Sequence, residues 1–170
     1  MQPVVVLKPH DSRWSAAAGA EAERLLAASS ALVAIHHIGS TAIPGILAKP
    51  IIDLIGVAKD LAVLDQDRSI IEGLGYEWRG EYGLPGRRYC KLSSTADRSL
   101  VHLHCYSEGD PSIARHLTFR DHLRACPEAA SAYQQEKLRC ARLHPADGGA
   151  YTECKSAWIT LAGRQAVHKL

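Results

Sequence analysis

An aspartate stands inside an otherwise apolar run, Ile51-Ile52-Asp53-Leu54-Ile55. An ionised carboxylate there is costly unless it is paired or binds something. Upstream, Gly39-Ser40-Thr41 closes another apolar segment. Glycine lets the backbone approach a ligand closely. Successive N–H groups and the two hydroxyls can then surround a phosphate. Lys49 offers a point charge between the two motifs. Downstream, His102 and His104 are two residues apart, so on a strand they share a face with each other and with Tyr106. His104 is a candidate general base near neutral pH. Arg87 and Arg120 carry the planar fork that suits phosphate recognition. These types in this order point to binding, and to chemistry on, a phosphorylated ligand, with Asp53 and His104 as the catalytic candidates. Each also has a plainer reading. Gly39–Thr41 serves as a tight turn, Asp53 as the partner of Lys49 or of an arginine at 87–88, and Arg120 with Asp121 as an ion pair.

Such residues need a sheet to hold them. Leu32–Ile38 and Ile51–Val57 are apolar and β-branched and predict strands. Alternation puts Ile51, Asp53 and Ile55 on one face and Ile52 and Leu54 on the other. Tyr76–Arg79, Arg87–Leu92 and Ser99–Tyr106 read as further strands, with Gly80–Gly86 as a turn. Val4–Leu7 predicts another short one. Asp11 and Ser12 offer caps for a helix to about Ala28, and Asp60 caps Leu61–Leu74, which ends at Gly75. From Asp110 the pattern is helical, over 111–125, 127–143 and 149–168. Pro127 suits a first helical turn, and Tyr133/Lys137 and Tyr151/Lys155 each share a helix face, where the lysine stem can pack on the ring. The expected fold is α+β: a mixed sheet flanked by helices in one domain over 1–170, with a mixed core over 1–109 and a helical part over 110–170.

The 170 residues are 46% hydrophobic and 22% charged, which is the make-up of one folded domain rather than a disordered chain. A net charge of +2 argues against a long nucleic acid held by bulk charge. Residues 79–98 carry five basic and two acidic side chains, a local patch that suits a small anion or a solvated loop. No apolar run approaches the roughly 18 residues of a membrane span. Val4–Leu7 is too short for the core of a signal peptide. Cysteines at 90, 105, 126, 140 and 154 are odd in number and form no Cys-x-x-Cys pair. They read as small buried thiols in a reducing cytoplasm, and the expected location is cytoplasmic.

The block His37-Ile38-Gly39-Ser40-Thr41-Ala42-Ile43-Pro44-Gly45, followed by Ala48-Lys49-Pro50-Ile51-Ile52-Asp53, closely resembles the signature of the GrpB family. Pro9-His10-Asp11-Ser12-Arg13-Trp14, Leu74-Gly75-Tyr76, Gly86-Arg87, His102-Leu103-His104 and Phe119-Arg120-Asp121-His122-Leu123-Arg124 extend the likeness over nearly the whole chain. So do the two Tyr-x-x-x-Lys pairs.

The resemblance implies a nucleotidyltransferase-like fold with a Gly-Ser loop leading to a carboxylate strand. It implies a nucleotide or other phosphorylated small molecule as ligand, and Mg²⁺ or Mn²⁺ as cofactor if nucleotidyl transfer takes place. Some family members are joined to a dephospho-CoA kinase domain, for which this chain has neither the length nor a G-x-x-x-x-G-K-[ST] loop. Working nucleotidyltransferases hold two divalent ions with an Asp-x-Asp or Asp-x-Glu pair and a third acid on a later strand. Here Ile51 and Ile55 flank Asp53 on its face, and the later strand offers His102 and His104. Asp53, His102 and His104 form a donor set better suited to a transition metal than to magnesium. The alternative is a non-catalytic nucleotide- or anion-binding protein that has lost the metal carboxylates.

Overall fold

The computed structural model describes residues 4–96 and 98–168; residues 1–3, 97 and 169–170 of the expected domain lie outside it. The elements follow in the order α1 (Arg13–Ala28), β1 (Leu32–Ile38), β2 (Ile51–Ala58), α2 (Leu61–Gln66), α3 (Arg68–Gly73), β3 (Tyr76–Trp78), β4 (Arg88–Leu92), β5 (Leu100–Ser107), α4 (Pro111–Ala125), α5 (Pro127–Leu143) and α6 (Gly148–His168). A short 3-10 turn over Ser40–Ala42 follows β1. No helix among the described residues is long and apolar enough to cross a membrane.

The sheet is mixed, in the order β1-β2-β5-β4-β3. β2 and β5 are parallel, and the other neighbouring pairs are antiparallel. The parallel register sets Asp53 opposite His102 and Ile55 opposite His104. One face is apolar. Ile52, Leu54, Cys90, Leu92, Val101 and Leu103 pack there against Trp14, Ala18 and Leu25 of α1 and against Leu64 and Ile71 below. The other face is divided. Ile38, Ile55, Val57 and Tyr106 meet Ile113 and Leu117 of α4. The rest carries the polar residues. A further cluster joins Ile43 and Ile46 of the loop after β1 to Leu123, Ala130 and Tyr133 of the C-terminal helices.

Several expectations change in the folded chain. Val4–Leu7 is not a strand; the segment meets the fold through an isolated bridge between Lys8 and Ala48, and Val4 and Val6 stay exposed. Its Val5 N–H donates instead to the Pro145 carbonyl at 2.9 Å, which ties the segment to the loop before α6 and not to the sheet. The helix expected over Leu61–Leu74 is two short helices that break at Asp67. Asp67 accepts a hydrogen bond from the Ser29 hydroxyl instead of continuing the helix. The free-thiol reading holds for Cys90, Cys105 and Cys126, but Cys140 and Cys154 form a disulfide. Packing of α5 on α6 brings their Cα atoms to 5.8 Å, inside bridging range. Their spacing of 14 residues matches no local cysteine motif, so the pair was invisible before folding.

Leu54 is fully buried between β1 and β5, beneath α1. Its truncation in Leu54→Ala should cost about 2–5 kcal/mol of unfolding free energy, read from urea denaturation.

Candidate functional site

The site begins at the end of β1. Gly39 has φ +74°, and a Cβ at this position would lie 2.7 Å from Oδ2 of Asp53. Only glycine lets the loop backbone press this closely on the carboxylate. Thr41 is buried; its hydroxyl donates to the Ile51 carbonyl at 3.0 Å and meets His37 Nε2 at 2.9 Å. Ser40 donates to the Tyr133 hydroxyl at 3.3 Å. Both hydroxyls therefore help to shape the loop in addition to lining the cavity.

The C-terminal helices grip the same loop by its backbone. Arg120 donates to the His37 carbonyl at 3.1 Å and Arg124 to the Ala42 carbonyl at 2.8 Å. Gln134 accepts from the Leu47 N–H at 2.7 Å, and the buried Lys137 donates to the Leu47 carbonyl. Buried backbone groups are costly when unpaired, so these contacts hold one loop conformation.

Asp53 is part-buried on the divided sheet face. Its Oδ1 lies 3.6 Å from His102 Nδ1 and 3.7 Å from His104 Nε2. Neither Lys49 nor an arginine of 87–88 pairs with it directly. Arg88 points away and binds Asp65 at 2.6 Å. Burial acts to raise the Asp53 carboxyl, but the approach of His104 and the charges of His104, His102 and Lys155 outweigh it and hold the group below its ordinary value. Burial pushes the His102 imidazole down. Arg87 reaches His104 Nδ1 at 3.5 Å and donates to the carbonyls of Glu81 and Tyr82. With Arg87 at Nδ1 and Asp53 at Nε2, both ring nitrogens of His104 face protein groups.

The cavity beside Asp53 has a volume of about 220 Å³. Ser40, Thr41, Lys49, His102 and His104 line it. Tyr151, Thr152 and Lys155 of α6 complete the wall. The two lysines converge on one ring. Lys155 Nζ is 4.5 Å and Lys49 Nζ 5.4 Å from the Tyr151 ring centre. Burial lowers Lys155 to about 8 and also lowers Lys49. Of the candidates named from sequence, Gly39, Arg87 and Arg120 are not among the lining residues: Gly39 packs its backbone on Asp53, Arg120 braces the loop and Arg87 lies against His104. The reading of Tyr151/Lys155 as a packed helix-face pair is correct for the contact. It missed that the pair faces the sheet, a position that nothing in the spacing discloses.

The donor set does not fit a pair of magnesium ions. Hard cations want several oxygen ligands, and Asp53 is the one carboxylate lining the cavity, beside two imidazoles and two ammonium groups. Among the described residues, the group of His, Cys, Asp or Glu ligand atoms that falls within 4.8 Å of one another is Glu136, Cys140 and Cys154, two of them disulfide-bonded. Asp53, His102 and His104 are set wider than that.

The family model described as GrpB protein matches residues 4–164. The chain belongs to the GrpB family. YqkA of Bacillus subtilis is 38% identical over 158 residues, covering 92% of this chain and 46% of that protein, so the chain spans about half of that relative. The crystal structure of conserved protein GrpB from Enterococcus faecalis superposes with a TM-score of 0.86 at 32% identity, covering 96% of this chain and 98% of that one. The structure of Cid1 in complex with its short product ApU gives a TM-score of 0.55 at 15% identity over 80% of this chain and 43% of Cid1. That likeness shows the fold alone, and it bears out the expected nucleotidyltransferase-like α+β architecture. The GrpB signature block thus spans the Gly39 loop, Lys49 and Asp53, three of the parts that meet at the cavity.

Two outcomes follow for stability. Gly39→Ala forces a Cβ against Asp53 in a left-handed backbone, and should cost more than the ~1 kcal/mol of a simple incompatible Gly→Ala change, read from the urea midpoint. Burial holds His37 and His116 down to about 4, against 6.5 when unfolded. The unfolded chain therefore binds more protons between pH 6.5 and 4, so stability is full above that window and falls as pH drops through it. His116→Gln should flatten the slope of unfolding free energy measured across pH 7 to 4.5.

Proposed function

We propose that this chain binds the phosphate end of a nucleotide, or of another phosphorylated small molecule, in the cavity between Asp53 and Lys155. The observation that carries the reading is the convergence of Lys49 and Lys155 on one tyrosine ring, beside a loop shaped by Gly39. Two ammonium groups suit an anion with several acceptor oxygens. A volume of about 220 Å³ is below the 300–1,000 Å³ common for whole-ligand pockets, so the phosphate enters and the rest of the ligand lies at the mouth. The nucleotidyltransferase-like fold supports a nucleotide in particular, since Cid1, which shares it, is described with the dinucleotide ApU.

Nucleotidyl transfer is a second reading, in keeping with Asp53 on the strand after a Gly-Ser loop, although one carboxylate does not hold the pair of ions such transfer uses. The residues themselves flank the carboxylate: His102 and His104 lie 3.6 and 3.7 Å from Asp53, and Arg87 lies against His104. Fold likeness does not carry a reaction by itself.

A thermal-shift screen of nucleoside mono- and triphosphates and sugar phosphates tests the proposal. Ligand at about 100 times Kd stabilises by about 2.7 kcal/mol, which raises Tm by roughly 2–5 °C for a domain of this size. Lys49→Ala should cut the shift to about half or less at the same ligand concentration. If no phosphorylated compound moves Tm, the phosphate site is wrong. Asp53→Asn separates the two readings: transfer activity lost while the shift persists favours the enzyme, whereas absence of transfer in the parent chain favours the binder.

A further inference from the structure

Phosphate sites in metal-dependent enzymes neutralise their ligand with cations held by several carboxylates. The charge plan of this cavity is different. Asp53 is the one acid lining it. Its strand neighbours on that face are Ile51, which lines the cavity, and Ile55, which is fully buried. The facing positions on β5 are His102 and His104. No second carboxylate on β2 or β5 is placed to join Asp53. Two ammonium groups stand where further counter-charge is needed, and they arrive from different parts of the chain. Lys49 comes from the segment before β2 and Lys155 from α6, and both reach the face of Tyr151. A cation over an aromatic face is attracted to it, but two like charges on one ring repel. Asp53 carries one negative charge against their two and pairs directly with neither, so the lining keeps a net positive charge for a ligand. Arg87 cannot serve, because its guanidinium is taken up by the carbonyls of Glu81 and Tyr82 and by His104.

We infer that Lys49 and Lys155 take the charge-neutralising role that divalent ions fill elsewhere in this fold, so that the cavity binds a phosphate monoester dianion without a divalent cation. The inference rests on the phosphate-binding reading above and specifies its chemistry. A divalent ion entering the cavity would meet two ammonium groups and one carboxylate, whereas a phosphate dianion meets the two ammonium groups as complementary charge.

Calorimetric titration of the purified chain with AMP, ribose 5-phosphate and inorganic phosphate, each in EDTA and again with Mg²⁺ or Mn²⁺, tests this. The expected result is binding in EDTA that added metal does not tighten. AMP binding far above ribose 5-phosphate identifies a nucleotide as the source of the phosphate; equal binding of all three identifies the phosphate alone as the recognised group, and either pattern in EDTA supports the inference. Lys155→Met and, separately, Lys49→Met should each weaken binding about tenfold or more, the loss of one charge-assisted contact. Lys155→Arg should retain most of it. Circular dichroism verifies that each variant is folded, and because the two lysines lie on different elements, one variant remains informative if the other does not fold. Binding seen only with Mg²⁺ or Mn²⁺ would overturn the metal-free inference and leave the phosphate site standing. Binding in EDTA that survives both lysine substitutions would also overturn it. No binding of any probe in either buffer sinks the phosphate reading and this inference with it.

Discussion

The loop after β1 lies so close to Asp53 that no side chain fits between them. A Cβ on Gly39 would come within 2.7 Å of the Asp53 carboxylate. Much of the site follows from that contact. The carboxylate is sheltered by backbone on one side and by two imidazoles on the other, so it stays ionised despite its burial. Its position is set by the parallel pairing of β2 with β5, which places His102 directly opposite. A one-residue slip of β2 in that register would turn Asp53 into the apolar core and part it from His102 and His104.

A loop pressed against a buried charge must be held, and the C-terminal helices hold it. Arg120, Arg124, Gln134 and Lys137 satisfy its carbonyls and one N–H, while Ile43 and Ile46 sink into the helices' apolar cluster. The last of these helices, α6, brings Tyr151 and Lys155 to the cavity. The helical part is therefore both brace and wall, which explains why basic residues that look available for a ligand in sequence are occupied by main chain. Lys137 shows the cost of that arrangement: burial, and the nearby charge of Lys155, push it down to about 7.

Architecture and chemistry point in different directions here. The sheet order and the loop-to-carboxylate connection are those of a nucleotidyltransferase-like fold, at a similarity that speaks to the fold alone. The groups lining the cavity carry more positive than negative charge: two lysines against one aspartate. A scaffold can keep the geometry of phosphate recognition while the means of neutralising the phosphate changes, because charge complementarity is met equally by a fixed ammonium or by a metal ion.

The sequence by itself determined most of the elements. Alternation across Ile51–Ile55 told which face Asp53 shares, the β-branched run at Leu32–Ile38 marked β1 to the residue, and Asp60, Gly75, Asp110 and Pro127 marked helix ends. These are local signals, set by backbone sterics and by hydrogen bonds between near neighbours, so they are legible without the fold. The Gly39, Lys49 and Asp53 parts of the cavity were legible too, because they lie within one short stretch of chain. Only the tertiary structure decided what comes to meet them. Tyr151 and Lys155 are about a hundred residues further along the chain from Asp53, and a helix-face pair looks the same whether it faces solvent or a cavity. Arg87 and Arg120 are chemically fit for phosphate, yet the carbonyls they meet in the fold claim them first. The Cys140–Cys154 bridge likewise depends on how α5 packs on α6. Pattern reports the partner a residue could suit, whereas packing settles which partner is within reach.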